Sequence, residues 1–298
     1  MSLRITQNSM NRTQMAGLNT SLSRLQQTQE QLTTGKRISR PSDDPVGTVS
    51  ALRFRSQQSQ LDQFGENISD GLARLTVADN ALTSTMPMVQ RIRTLAVAAA
   101  NGINGQQQRD AYAKEIRELR QAIIQQANTQ YADQPVFGGT TPGGEAFDPE
   151  TGSFVGNELP VIRQVVDAPD DAGQVHVAVN GLVAFGTTLE VNGTLDALAN
   201  AIENGYEDGI GQGITDMDAM VDDLLNVAST VGARVNRLKG LEELNGRSSD
   251  SIAGALSKVE DTDFQKAAMD LAVQSASYQA ALAASAKVIQ PSLMDFLR

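Results

Sequence analysis

The chain carries a seam of apolar positions at alternating spacings of three and four residues, the period that keeps one face of an α-helix against a partner helix. The first stretch is Met15, Leu18, Leu22, Leu25, Gln29 and Leu32, with one polar member, and Gly35 supplies its stop. A longer stretch runs through Leu61, Phe64, Ile68, Gly71, Leu75, Ala78, Leu82, Thr85, Val89, Ile92, Ala96 and Ala99. It predicts a helix of about 60 Å. Pro87 lies inside it, removing one backbone bond and crowding the preceding turn, so a bend is expected near residues 83–87.

Asn101-Gly102 and Asn104-Gly105 break the seam, and Tyr112, Ile116, Leu119, Ile123 and Ala127 form a third stripe, antiparallel to the second across a short connection. Met217, Val221, Leu224, Ala228, Val231, Val235 and Leu238 give a fourth, which must pack beside the second and third. The last stripe is Phe264, Ala268, Leu271, Ser275, Tyr278, Leu282, Ser285 and Ile289, preceded by Thr262 and Gln265 at capping-box spacing and stopped by Pro291.

Between these flanks the pattern changes. Residues 135–213 hold 5 of the 9 Pro and 14 of the 25 Gly. Val175, Val177 and Val179 alternate with Gln174, His176 and Ala178, and Asn180-Gly181 followed by Leu182 to Phe185 reads as the turn and second arm of a hairpin. Leu159 to Val166 and Thr188 to Val191 can add strands. The expected fold is therefore mainly α: a long antiparallel coiled-coil helical bundle built from both chain ends, with an inserted small β-rich domain. The expected divisions are terminal helices at 1–40 plus 258–298, a helical rod at 41–135 plus 207–257, and the insertion at 136–206.

Composition narrows the chemistry. Aromatics are only 4% of the 298 residues, so Leu, Ile, Val and Ala must do the packing. There is no Cys, and His176 is the single His, which removes disulfides, thiolate metal sites, thiol nucleophiles and any mechanism that needs two imidazoles. The opening twenty residues lack an apolar signal-peptide core, and no 18 apolar residues run uninterrupted. Residues 1–60 carry eight basic groups against three acidic ones, a net of +5, whereas residues 131–222 carry 16 acidic groups against Arg163 alone, a net of -15. That acidic middle argues against a nucleic-acid surface there.

The remaining motifs have plain readings. Gly138-Gly139-Thr140-Thr141-Pro142-Gly143-Gly144-Glu145 lacks the Lys-Ser/Thr of a phosphate loop and reads as a turn-rich entrance to the insertion. Gly209, Gly211 and Gly213 read as a hinge before a helix, and His176 as an exposed strand residue. Asp43-Asp44 before Pro45 reads as a helix start, with a cap and a charge that suits the helix dipole. Asp43-Asp44, or Asp216 with Asp218, could in principle bind a cation or act in acid-base work, but the helix-start reading is preferred. Basic groups spread over the amino end, without an aromatic residue before Phe54, are a poor nucleic-acid surface, and the ends lack the Trp and dense Lys/Arg of a membrane-inserting helix. No catalytic residue, cofactor or metal site is expected.

The two terminal stripes are too small to repay the entropy of ordering both ends by pairing with each other alone. The ends are expected to be loose in an isolated chain and ordered when neighbouring copies cover them. The expected assembly interface is Met15, Leu18, Leu22, Leu25, Leu32, Phe264, Leu271, Tyr278, Leu282, Ile289, Leu293 and Phe296.

Thr34-Gly35-Lys36-Arg37-Ile38 and then Pro41-Ser42-Asp43-Asp44-Pro45 resemble the amino-terminal signature of the flagellin family. Ala127-Asn128-Thr129-Gln130-Tyr131 with Val136-Phe137-Gly138-Gly139-Thr140 is similar to the entry into an outer domain in that family, and Gly232-Ala233-Arg234-Val235-Asn236-Arg237-Leu238 with the run from Tyr278 to Leu297 resembles its carboxy-terminal motifs. The resemblance covers residues 1 to about 135 and 210 to 298. It implies paired terminal helices lining the inner wall of a tube, a helical middle domain around them and an outward-facing insertion. It further implies a structural subunit of the bacterial flagellum, not an enzyme: a ring on the distal hook that joins a preceding hook-associated protein to filament flagellin. The implied partners are copies of the same chain, that preceding protein, flagellin, and an export chaperone with the type III export apparatus. Nucleic acid and membrane insertion are not among them. The implied location is extracellular, at the hook-filament junction, reached without a cleaved signal peptide. Filament flagellin itself, a type III secreted translocator, and a ligand-binding or enzymatic module in the insertion stay open as alternatives.

Overall fold

All members of the long seam except Leu61, which is half-buried, face inward on one helix, α2 (Pro45–Ala100). This is a computed structural model, and it describes residues 7–101, 105–168 and 170–289. The other long helices are α1 (Gln7–Thr34), α3 (Gln106–Ala127), α6 (Glu207–Glu260) and α7 (Phe264–Ile289). The expected bend does not interrupt α2, which runs through Pro87. Pro87 and Thr83, whose carbonyl loses its partner, both lie on the exposed side, where water can satisfy the freed oxygen.

The chain divides into two compact units, residues 1–60 with 249–298, and residues 61–248. In the second unit, α3 and α6 both run antiparallel to α2, as shown by the Arg91–Glu115 pair at 2.7 Å, the Arg93–Asp218 pair, and the Asn245 amide donating to the Leu61 carbonyl at 2.9 Å. Helix α5 (Thr194–Asn204) lies along α3, tied by Arg117 to Glu203 at 2.6 Å. Ile68, Leu75, Leu82 and Ile92 of α2, Ile116 and Ile123 of α3, and Met217 and Leu224 of α6 form one buried cluster.

The insertion shares that cluster through Phe137, Phe147, Phe185 and Leu195. Phe185 meets Phe137 and Phe147 edge-on, with centroids 5.2 and 5.6 Å apart. Its strands are short: β1 (Gln130–Tyr131) pairs antiparallel with β2 (Gln134–Pro135), and β3 (Ile162–Gln164) with β4 (Gln174–His176). The expected hairpin at 175–185 is not formed. Gly181–Phe185 is a helical turn, α4, capped by Asn180, whose side chain accepts the Leu182 amide at 2.9 Å. Burial of Gly181, Ala184 and Phe185 follows helical spacing, and Asn-Gly serves as a cap here instead of a two-residue turn. Thr188 to Val191 is likewise turn rather than strand.

Arginines from three helices clasp insertion carbonyls. Arg74 of α2 donates to Pro135 at 3.0 Å, just before the insertion, and to Gly139 at 3.4 Å, Arg120 of α3 to Leu189 at 2.8 Å and Thr151 at 3.0 Å, and Arg234 and Arg237 of α6 to Ala178 at 2.8 Å and Ala172 at 3.1 Å. Burial pushes the Arg74 guanidinium pKa down, and the neighbouring charge of Arg163 pushes it the same way. At the insertion's entrance Gly139 sits at φ +67°, where an added Cβ would lie 2.2 Å from the Asn157 carbonyl oxygen, so only glycine fits.

The glycines at 209–213 form no hinge, because they lie inside the first turns of α6. Gly213 is buried, and a Cβ there would lie 2.5 Å from Leu198 Cδ1 of α5, whereas one at Gly211 would meet nothing within 4 Å. Gly213→Ala is expected to cost about 1–3 kcal/mol through overpacking. Gly211→Ala is expected to gain about 0.5–1 kcal/mol from helix propensity. Urea unfolding of the two variants checks the opposite signs.

Candidate assembly surface of the terminal helices

The first unit is built on α1 and α7, which run antiparallel: Thr28 donates its hydroxyl to the Gln274 side chain at 2.9 Å, and the Phe264 ring lies over Gly35. Gly35, at φ +70°, ends α1 by donating its amide to the Gln31 carbonyl at 2.9 Å. The two helix connections are then stitched together. The Thr262 amide donates to the Gly35 carbonyl at 2.9 Å, and the Arg37 amide to the Glu260 carbonyl at 2.6 Å. The Arg37 guanidinium reaches the Val259 carbonyl at 2.7 Å.

The Glu260 carboxylate, 4% exposed, takes both Lys36 and Arg55 at this seam. Burial alone would push its pKa up, but the hydrogen bonds and charges of the two cations outweigh that and hold it below the usual glutamate range. Its folded pKa is depressed, so the clamp's contribution is complete above the unfolded value of about 4.3 and is lost as pH falls through the lower folded value. In hydrogen exchange, protection of the Arg37 and Thr262 amides is expected to stay level from pH 8 to about 5 and then fall. In Glu260→Gln it is expected to be lower by about tenfold and nearly independent of pH. Unchanged protection in the variant contradicts the clamp.

The Asp43-Asp44 expectation holds in detail. Asp44 accepts the Gly47 amide at 2.8 Å and so caps α2 behind Pro45. That bond, with Arg37 adding to it, depresses the Asp44 pKa. Asp43 accepts the Arg40 amide at 2.9 Å and shapes the preceding turn. The expected capping box at Thr262 is one residue out of place. Asp263 is the cap, accepting the Gln265 and Lys266 amides at 3.0 and 3.1 Å, because the Thr262 amide is committed to Gly35.

None of the described members of the expected interface is fully buried. Leu18, Leu22, Leu25 and Leu32 of α1, with Leu271 and Tyr278 of α7, are half-buried where the two helices meet. Met15 and Phe264 are 60% and 58% exposed, and Leu282 is exposed as well. The Ile289 side chain, Leu293 and Phe296 lie outside the described residues. Sequence reasoning missed two further exposed apolar rows, Val46, Val49 and Leu52 on the first turns of α2 and Met269 with Val273 on α7. Their signal was spacing of three or four residues upstream of one seam and off the line of the other.

The other candidate chemistry stays plain. His176 is exposed on β4, Asp218 pairs with Arg93, and Asp216 accepts the Gln212 amide at 2.8 Å. Among the described residues no group of three or more His, Cys, Asp or Glu could hold a metal ion, and no helix is long and apolar enough to cross a membrane.

Residues 5–141 match the bacterial flagellin N-terminal helical region. Over 305 aligned residues the chain is 24% identical to flagellar hook-associated protein 3 of Salmonella typhimurium, covering 93% of this chain and 94% of that protein. It is 27% identical over 244 residues to flagellin of Listeria monocytogenes, covering 80% and 78% of the two. Its fold is similar to the crystal structure of the flagellar junction protein FlgL of Legionella pneumophila, with a TM-score of 0.56, 14% identity, and coverage of 71% of this chain and 99% of that one.

Proposed function

We propose that this chain, a flagellin relative by its amino-terminal helical region and its fold, is a structural subunit of the bacterial flagellum that joins the hook to the flagellin filament. The observation that carries this reading is a terminal helix pair whose apolar stripe stays half in water, on a chain that aligns almost end to end with a hook-associated protein 3. Apolar stripes left open on two paired helices gain stability when further helices cover them. The twelve-residue interface is where neighbouring copies are proposed to close a ring, with Val46, Val49, Leu52, Met269 and Val273 adding area.

In this scheme residues 1–40 with 258–298 line an inner tube, residues 41–135 with 207–257 surround it, and residues 136–206 face outward. The chain's work is mechanical, with no reaction to catalyse. Its partners are further copies, a preceding hook-associated protein on one side and flagellin on the other, after delivery by an export chaperone and the type III apparatus. Its location is the extracellular junction.

Deleting the gene in its own bacterium is expected to leave hooks without filaments and flagellin released into the medium, with motility restored by the intact gene. Filaments on the deletion strain overturn the reading. The likeness to Listeria flagellin supports a second reading, the filament subunit itself. That one requires the purified chain to polymerise alone into long filaments.

A further inference from the structure

Along α6, Asp223, Asn226, Val227, Thr230, Val231 and Arg234 recur at helical spacing and form one wall of a groove of about 430 Å³. The other wall is the insertion: the extended stretch 157–160, the chain from His176 to Asn180, and Val183 of α4. The helix rises about 16 Å between Asp223 and Arg234. That is room for about five residues of extended chain.

The floor is apolar and closed, since Val179, Val227 and Val231 are all buried. The insertion lip is apolar and open, with Leu159 and Val183 at 61% and 60% exposed. Two aliphatic side chains left in water on the insertion wall are covered at a gain by an apolar segment lying in the groove. The ends differ in charge. Asp223 stands at one end; at the other, Arg234 is half-buried, with one guanidinium nitrogen on the Ala178 carbonyl. Neither forms an ion pair among the described residues. Glu158 and His176 add polar character to the insertion wall. Asn226 lines the groove with an amide, which suits peptide N–H and C=O groups and has no use for a hydrocarbon chain, while the Asn157 amide is taken up by Thr140 and the Leu159 N–H.

We propose that this groove receives an extended peptide segment of a partner protein, about five residues long, apolar at its centre, with a carboxylate at the Arg234 end and a cation at the Asp223 end. Apolar contact over the valines supplies the affinity, and the two terminal charges select the sequence. The site lies within residues 61–248, so it stands or falls independently of the terminal helices and of the proposed place in the flagellum.

The test uses the full chain with acetyl-Glu-Val-Leu-Val-Lys-amide, its Glu…Glu and Lys…Lys counterparts, and dodecanoate, followed by amide NMR shifts. The mixed-charge peptide is expected to saturate with a dissociation constant of about 0.1–1 mM and to shift amides of residues 157–160, 178–183 and 223–234. The two like-charged peptides are expected to bind about tenfold more weakly. Val183→Asp and Asp223→Lys both alter exposed side chains and spare the core. Val183→Asp is expected to weaken binding about tenfold, and Asp223→Lys to move the preference to the Glu…Glu peptide. Absence of saturable binding, equal binding of all three peptides, displacement by dodecanoate at equal concentration, or indifference to both substitutions each overturns the proposal.

Discussion

Phe185→Ala is expected to destabilise the unit of residues 61–248 by about 3–5 kcal/mol, the range for emptying a buried phenylalanine site. Phe185 is 1% exposed and its ring is held edge-on by Phe137 and Phe147. Those rings belong to the same buried cluster as Ile68, Leu75 and Ile116 of the helices, so the cavity opens inside the common core. Loss of the edge-to-face pairs adds to the loss of area. Urea unfolding of the full chain, followed by circular dichroism, reads the change in the second unit. A loss under about 1 kcal/mol means that the insertion rests on the helices without sharing their core. The same continuity predicts that deleting residues 140–200, which removes Phe147 and Phe185 together and strips the carbonyls held by Arg120, Arg234 and Arg237, leaves a chain that no longer unfolds cooperatively.

Leu25→Asp is expected to do the reverse, sparing the isolated chain and abolishing assembly. Leu25 is half-buried between α1 and α7, where a carboxylate can still turn to water. Covered by neighbouring copies, the same carboxylate loses its water, and burying an unpaired charge costs several kcal/mol per copy. That corresponds to at least about a hundredfold weaker association. Unfolding of residues 61–248 is expected to shift by less than about 0.5 kcal/mol. The variant strain is expected to make hooks without filaments, while Leu25→Met at the same site keeps motility. A motile Leu25→Asp strain places the assembly surface elsewhere. Val49→Asp on the exposed row of α2 extends the comparison to the surface that the sequence did not mark.

The long helices of residues 61–248 were legible because each buries a stripe, and a stripe is a local pattern. The seam from Phe64 to Ala99, the stripe from Met217 to Leu238 and the cap at Asp44 all depend on residues within a few turns of one another. What stayed hidden depends on distant partners. Asn180-Gly181 has the chemistry of both a hairpin turn and a helix cap, and the ring of Phe185 decides between them by needing to reach Phe137 and Phe147. Gly213 reads as a flexible point until Leu198 of another helix is set against it. Thr262 reads as a cap until Gly35, far upstream, claims its amide. Residues quoted for the family likeness prove to have structural tasks of this non-local kind. Asn128 accepts the Ala146 and Phe147 amides at 2.9 and 2.8 Å, Arg234 and Arg237 hold insertion carbonyls, and Lys36 holds Glu260. The terminal surface was the least legible, because its members follow helical spacing whether their cover comes from the same chain or from another.

Amide hydrogen exchange on α1 and α7, compared between the purified chain in dilute solution and the chain incorporated in isolated flagella, bears most directly on whether neighbouring copies complete the terminal helices. Protection across Gln7–Thr34 and Phe264–Ile289 is expected to be near that of an unstructured peptide in the free chain and to rise by at least about a hundredfold on assembly, while α3 and α5 stay equally protected in both states. Terminal helices that already exchange as slowly as α3 in the free chain contradict it.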